Sequence, residues 1–249
     1  MIDLRTLEQI LSDQAEELTV KERHNYCLRH EESLIDLDSP QAQVVIGIRR
    51  CGKSTLCYNA LRHAGVNFAY VNFDDERLAM LNSDDLNNVL ETLYKINGSF
   101  DYLFLDEIQN VNGWHLFVNR LLRREMKIIV TGSNAKLLSG ELATHLTGRH
   151  NTITLFPFSF AEYCLCTGAD TTPQTTEKKA LRRKAFDQYT ALGGFPELLK
   201  IKNHKSYIDN LTENILKRDI EQRFKPAHAP SFETIARSLR NEAPTTLSY

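Results

Sequence analysis

Long apolar runs are missing from this chain. No stretch approaches the ~18 residues that a membrane-spanning helix needs, and the N-terminus has no apolar core of the kind a secretory signal carries. The expectation is a soluble, cytoplasmic protein with no membrane partner. A dominant charge is missing too: 30 Lys and Arg stand against 32 Asp and Glu, a net charge of -2, which excludes a wholesale nucleic-acid coat. The local basic stretches, Arg120 to Lys127 and Lys178 to Lys184, read first as solvated helix faces and second as contact sites. Cysteine is scarce and odd in number, at Cys27, Cys51, Cys57, Cys164 and Cys166. With no C-x-x-C or H-x-x-x-H pair beside them, zinc ligation is excluded. Free thiols in a reducing compartment are expected instead. Internal repeats are also absent.

What is present is ordinary globular composition, 42% hydrophobic and 25% charged over 249 residues, enough for one large α/β domain and a smaller one. Residues 1 to 37 read as helical, with Leu4, Leu7, Ile10, Leu11 and Leu18 at helical spacing. Val44 to Ile46 is an apolar run stopping at Gly47, the mark of a buried strand entering a glycine turn. Helical spacing resumes from Ser54 and stops near Gly65, and a second strand runs from Ala69 to Phe73. Ser83 is the expected cap of a helix carrying Leu86, Val89, Leu90 and Leu93, which Asn97-Gly98 ends. Tyr102 to Leu105 is a third strand, Trp114 to Leu122 a helix, Ile128 to Val130 a fourth strand and Ile153 to Leu155 a fifth. Strands alternating with helices predict a parallel sheet covered on both faces. Because the strand Ala69 to Phe73 intervenes, the Val44 strand is expected to be central, with the Ile128 strand between it and the Tyr102 strand. Beyond Pro157 the character turns helical, with a loop over Thr167 to Thr176, a turn at Gly193 to Pro196 and a long last helix through Tyr207, Leu211 and Ile220.

Gly47-Ile48-Arg49-Arg50-Cys51-Gly52-Lys53-Ser54 fits G-x-x-x-x-G-K-[ST], a pattern that arises by accident in roughly one such chain in a hundred. Its place between an apolar strand and a helix is the confirming context. Glycines let backbone N–H groups converge on phosphate oxygens, and the helix after them points its positive end the same way. Gly47 to Thr55 are thus the candidate nucleotide-binding residues. Lys53 is read as neutralising the β- and γ-phosphates and Ser54 as a magnesium ligand. Asp106, at the tip of a buried strand, is the second magnesium ligand, and Glu107 the group that orients or deprotonates the attacking water. The cofactors expected are ATP and Mg2+. Cys51, beside Lys53 and a helix N-terminus, has two readings: a reactive thiolate, or a small buried residue under the loop.

With these motifs placed, the chain resembles the AAA+ ATPases of bacteria and archaea that often carry a C-terminal domain of unknown function. The resemblance runs over about residues 20 to 220, through Gly-Ile-Arg-Arg-Cys-Gly-Lys-Ser-Thr-Leu (47 to 56), Tyr-Val-Asn-Phe-Asp-Asp-Glu-Arg (70 to 77) and Phe-Leu-Asp-Glu-Ile-Gln-Asn-Val (104 to 111). It continues through Val-Thr-Gly-Ser-Asn-Ala (130 to 135), Leu-Thr-Gly-Arg (146 to 149), Phe-Pro-Phe-Ser-Phe-Ala-Glu (156 to 162) and Gly-Gly-Phe-Pro-Glu (193 to 197). It implies an AAA+ core of the ASCE type with five parallel strands and a helical lid. The implied division is an N-terminal helical segment (1–37), the P-loop core (38–156), the lid (157–226) and the start of a truncated winged-helix segment (227–249). It also implies a sensor at Ser133 or Asn134. Arg149 is implied as an arginine finger completing a neighbouring subunit's site, hence a homo-oligomer; its alternative is a surface or ion-paired arginine. Arg77 is a weaker candidate for that role.

The reading that follows is ATP hydrolysis coupled to conformational change on a client, with DNA, RNA and protein all open. A nucleotide-dependent switch with little turnover is the alternative, and multiple-turnover phosphate release separates the two. A P-loop kinase for a small molecule is the third reading. Glu107, suited to activating water, argues against it.

Overall fold

The computed structural model describes residues 2–21, 26–133, 146, 148–169 and 175–216. Among these, five parallel strands form one sheet in the order β2-β3-β4-β1-β5: β1 (Ala42–Gly47), β2 (Phe68–Asn72), β3 (Tyr102–Asp106), β4 (Lys127–Ser133) and β5 (His150–Leu155). The β4 strand lies between β1 and β3, as expected from the extra strand separating the two motifs. The P-loop strand, expected to be central, lies inside the sheet but one place from the β5 edge, and β4 holds the middle.

Alternation along each strand builds two cores. Val44 and Ile46 of β1, with Leu103 and Leu105 of β3, face a layer made by α1 (Leu4–Lys21), α3 (Leu86–Asn97) and α4 (Trp114–Leu122). Val45, Tyr102 and Phe104 face the other way, onto Leu56, Cys57 and Leu61 of α2 (Lys53–His63). Both faces of the central strands are dry, so the strands read as continuous apolar runs. On the α1 side, Leu7, Ile10 and Leu11 share the main core with the sheet.

Residues 1 to 37, read as helical throughout, are not. After α1 the chain is extended at Arg29 (φ −113°, ψ 142°), makes a short 3-10 helix at His30–Leu34, and is extended again at Ile35. Buried contacts of Arg29, described below, hold that extended stretch. Ser83 does not cap α3. The Asp85 carboxylate reaches back to the Asn82 amide, 3.2 Å, and the helix starts after Asp85, with the Ser83 carbonyl accepting from Leu86 N–H.

After β5 come α5 (Phe160–Thr167) and α6 (Thr176–Leu192). The α5 helix begins with a capping box: Ser159 accepts from the Glu162 amide, and the Glu162 carboxylate accepts from the Ser159 N–H. The physical content of the Phe-Ser-Phe-Ala-Glu stretch is therefore a helix start. Residues up to Lys200 form one compact unit with the sheet, and a second unit begins at Ile201. In that second unit α7 spans His204–Asn214. Beyond residue 216 the long final helix read from the sequence, including Ile220, lies outside the described residues, as does the segment 227–249.

Candidate functional site

A parallel sheet brings the C-terminal ends of its strands together, and the side chains singled out by motif meet there. At Gly47 a Cβ would lie 2.3 Å from the Leu155 carbonyl oxygen and 2.8 Å from Cys51 Sγ, so only glycine lets β1 turn into the loop. Gly52, at φ 102°, caps the N-terminus of α2 in the left-handed region. Lys53, 5% exposed, folds back over the loop, its Nζ 3.3 Å from the carbonyls of Gly47 and Ile48 and 3.3 Å from Glu107 Oε1. Ser54 Oγ donates to Asp106 Oδ1 at 2.9 Å.

Asp106 is buried at the tip of β3 and caged by hydroxyls. Besides Ser54, Thr131 Oγ1 donates to Oδ1, and Tyr70 OH donates to Oδ2 at 3.2 Å. Burial pushes the Asp106 carboxyl upward, with the neighbouring Glu107 charge adding to the rise; the Thr131 and Ser54 donors and the Lys53 charge oppose it. Tyr70, buried against this carboxylate, is held neutral. Glu107 takes left-handed backbone angles, φ 52° and ψ 38°, uncommon for a side-chain-bearing residue. Its N–H donates to Thr131 Oγ1 at 3.0 Å, and its Oε2 accepts from Gln109 Nε2. A single threonine hydroxyl thus holds both members of the acidic pair.

A pocket of about 590 Å³ opens beside these groups, walled by the loop from Arg49 to Thr55, the segment around Tyr26 and Arg29, and the stretch Pro196 to Lys200. Arg50, itself at φ 64°, pairs with Glu197 at 2.7 Å across its rim.

The other residues named from the sequence fall variously. Ser133 sits in register with Gly47, 2% exposed, and its Oγ has no hydrogen-bond partner among the described residues. Asn134 lies outside the described residues. Arg149 is exposed and immediately precedes β5, at the opposite end of the strands from the loop. Arg77 is clamped by Asp13 at 2.7 Å and Asp75 at 2.8 Å, fastening α1 to the turn after β2, which accounts for it structurally. Cys51 is fully buried and its thiol is pushed up by desolvation, so the bland reading prevails over the reactive thiolate. Cys51, Cys57 and Cys164 are free and buried, as expected, while Cys27 and Cys166 lie side by side, with Cα atoms 5.4 Å apart across 139 residues. No spacing rule connects two positions so far apart.

No role was read from the sequence for Thr131, Tyr70 or Arg29. Tyr70 and Thr131 lie within the stretches 70 to 77 and 130 to 135 that carry the resemblance, Thr131 as the polar residue closing the apolar run of β4; Arg29 left no such trace.

Residues 39–164, half of the chain, match the AAA domain family. The chain belongs to that family. This AAA domain is 32% identical over 212 residues to an uncharacterized protein of Methanocaldococcus jannaschii, covering 83% of this chain and 48% of that one. It is 31% identical over 196 residues to an uncharacterized protein of Haemophilus influenzae, covering 75% and 48%. The chain therefore spans about half the length of the curated relatives it matches. Among solved structures the AAA domain is similar to AMPPCP-bound DnaA from Aquifex aeolicus, at 18% identity and a TM-score of 0.45 over 78% of this chain and 63% of that one. It is likewise similar to a Walker-type ATPase of Pyrococcus abyssi, at 17% identity and a TM-score of 0.44 over 90% and 78%. Both likenesses are too distant to bear on activity. No helix among the described residues is long and apolar enough to cross a membrane.

Proposed function

We propose that this AAA domain binds ATP with magnesium and hydrolyses it. The observation that carries the reading is the meeting of Ser54 Oγ and Asp106 Oδ1 at 2.9 Å, with Lys53 and Glu107 on the loop side of that pair. A hydroxyl and a carboxylate are hard oxygen donors of the kind magnesium takes, so the donor set fits the ion. Bound there, magnesium would neutralise phosphate charge. Lys53 supplies a buried cation to the phosphate oxygens, and the loop N–H groups cradle them. Glu107 accepts the proton of the attacking water, once Lys53 turns from its carboxylate to the phosphates. Ser133, buried with an unspent hydroxyl beside Gly47, is suited to the sensor role.

Arg149 fits a role in trans. A strand of six residues separates it from its own loop, about 20 Å at ~3.3 Å per residue. An exposed guanidinium there serves a neighbouring copy rather than its own site.

One observation favours a second reading, the nucleotide-dependent switch: Glu107 is engaged by Lys53 and Gln109 rather than open to water. Two variants and a phosphate-release assay test the readings. Glu107→Gln should bind magnesium-ATP like wild type and hydrolyse it on the order of 10²-fold more slowly in single turnover. Lys53→Ala should weaken ATP by about 30-fold or more. Wild-type hydrolysis in Glu107→Gln would refute the assignment, and wild-type phosphate release limited to one equivalent would favour the switch.

A further inference from the structure

Arg29 belongs to no motif, yet its side chain is 7% exposed and every side of its guanidinium is engaged. Nε donates to Glu162 Oε1 at 2.6 Å, Nη1 to the Cys51 carbonyl at 3.1 Å and Nη2 to the Phe156 carbonyl at 2.8 Å. Its Cζ lies over the Phe158 ring, 4.8 Å from the centroid. One cation thereby joins the segment before β1, the phosphate loop, the link leaving β5 and the first turn of α5.

We propose that Arg29 is a positioning residue that sets the phosphate loop from behind, an inference resting on the nucleotide-binding reading above. The peptide between Cys51 and Gly52 is planar and trans, so its carbonyl and its N–H point in opposite directions. By holding the Cys51 carbonyl, Arg29 turns the Gly52 N–H the other way, toward the side of the loop where phosphate would lie. Such control is needed here because the residue after this peptide is Gly52, at φ 102°. A glycine takes either sign of φ about equally, so it does not by itself fix the orientation of the peptide before it. A buried, charged donor is a strong fixture.

The orientation of Arg29 is fixed in turn. The Glu162 carboxylate takes Arg29 on Oε1 while its Oε2 accepts from the Ser159 N–H and hydroxyl, each at 2.8 Å. Two residues before Arg29, Cys27 lies against Cys166, their Cα atoms 5.4 Å apart; Cys166 is four residues beyond Glu162 and so on the same side of α5. The segment bearing Arg29 therefore meets two successive turns of α5, which serves as the plate behind the loop.

The test compares ADP, which carries a β-phosphate, with AMP, which does not. Affinities are read by displacement of a fluorescent nucleotide from the full chain, alongside thermal midpoints. Arg29→Ala should weaken ADP about 10- to 100-fold while leaving AMP within about twofold. Arg29→Lys, which keeps a charged donor within reach of the Cys51 carbonyl, should recover most of the loss. Should Arg29→Ala not fold, Glu162→Gln takes its place, with ADP weakened about 3- to 10-fold and AMP again spared. ADP and AMP weakened alike, no recovery with lysine, or wild-type ADP affinity in a folded variant would overturn the proposal. If wild type and Lys53→Ala bound ADP equally, the nucleotide-binding reading itself would fail, and this inference with it.

Discussion

Replacing Thr131 by valine probes the centre of the acidic site with little change in shape. The side chain is fully buried, and its hydroxyl makes two bonds, donating to Asp106 and accepting from the Glu107 N–H. Loss of a hydrogen bond to a charged group costs about 1.5–3 kcal/mol, and a buried N–H left unpaired about 1–3 kcal/mol. The added methyl returns about 0.8 kcal/mol, so the net loss is about 2–5 kcal/mol. For a chain of this size that lowers Tm by roughly 5–15 °C. The same hydroxyl anchors the left-handed backbone at Glu107, so its removal frees the carboxylate that is proposed to face water. Displacement of a reacting group by ~1 Å can cost 10²-fold in rate. Thr131→Val should therefore cut single-turnover ATP hydrolysis by about 10- to 100-fold, with nucleotide affinity falling far less. Urea titration and rapid-quench hydrolysis read the two effects separately. Thr131→Ser, which keeps both bonds, should lie near wild type in rate. A valine variant with wild-type midpoint and wild-type turnover would show that the hydroxyl bridge does not hold the acidic pair.

Other outcomes are as definite. If Arg149 acts in trans, mixing inactive Lys53→Ala chains with inactive Arg149→Ala chains should restore part of the hydrolysis, and wild-type turnover should climb with protein concentration; no recovery and a flat dependence would remove the trans role. Asp75, held down to about 2 from its ordinary 3.8 chiefly by the Arg77 guanidinium, contributes stability above the unfolded value. That contribution should fade as pH falls from about 4 toward 2 in acid titrations, and Asp75→Asn should flatten this part of the curve. If the variant and wild type lose stability in parallel, the Asp13–Arg77–Asp75 clamp does not tie down α1.

What the chain states locally was readable from it. Alternating apolar runs announce strands buried on both faces, because a parallel sheet is covered by its own crossover helices. The order β2-β3-β4-β1-β5 puts β4 between the two motif strands, as the intervening strand implied. Gly47 to Ser54 and the Asp106-Glu107 pair were legible because each is a short stretch whose geometry needs particular residue types at fixed offsets. The failures have a different origin. Ser83 lost its capping role to a side-chain bond made by Asp85, a choice among local polar groups that composition does not rank. Arg77 was a candidate finger until Asp13, far away in the chain, was seen to share it. Thr131, Tyr70 and Arg29 act on partners 25, 36 and 133 residues away, and Cys27 lies beside one 139 away. Sequence determines which groups a chain carries and how each short segment folds. Which distant groups share a carboxylate or a carbonyl, or lie side by side, is settled only when the sheet and its covering helices pack, because contact across such separations depends on the whole path of the chain between them.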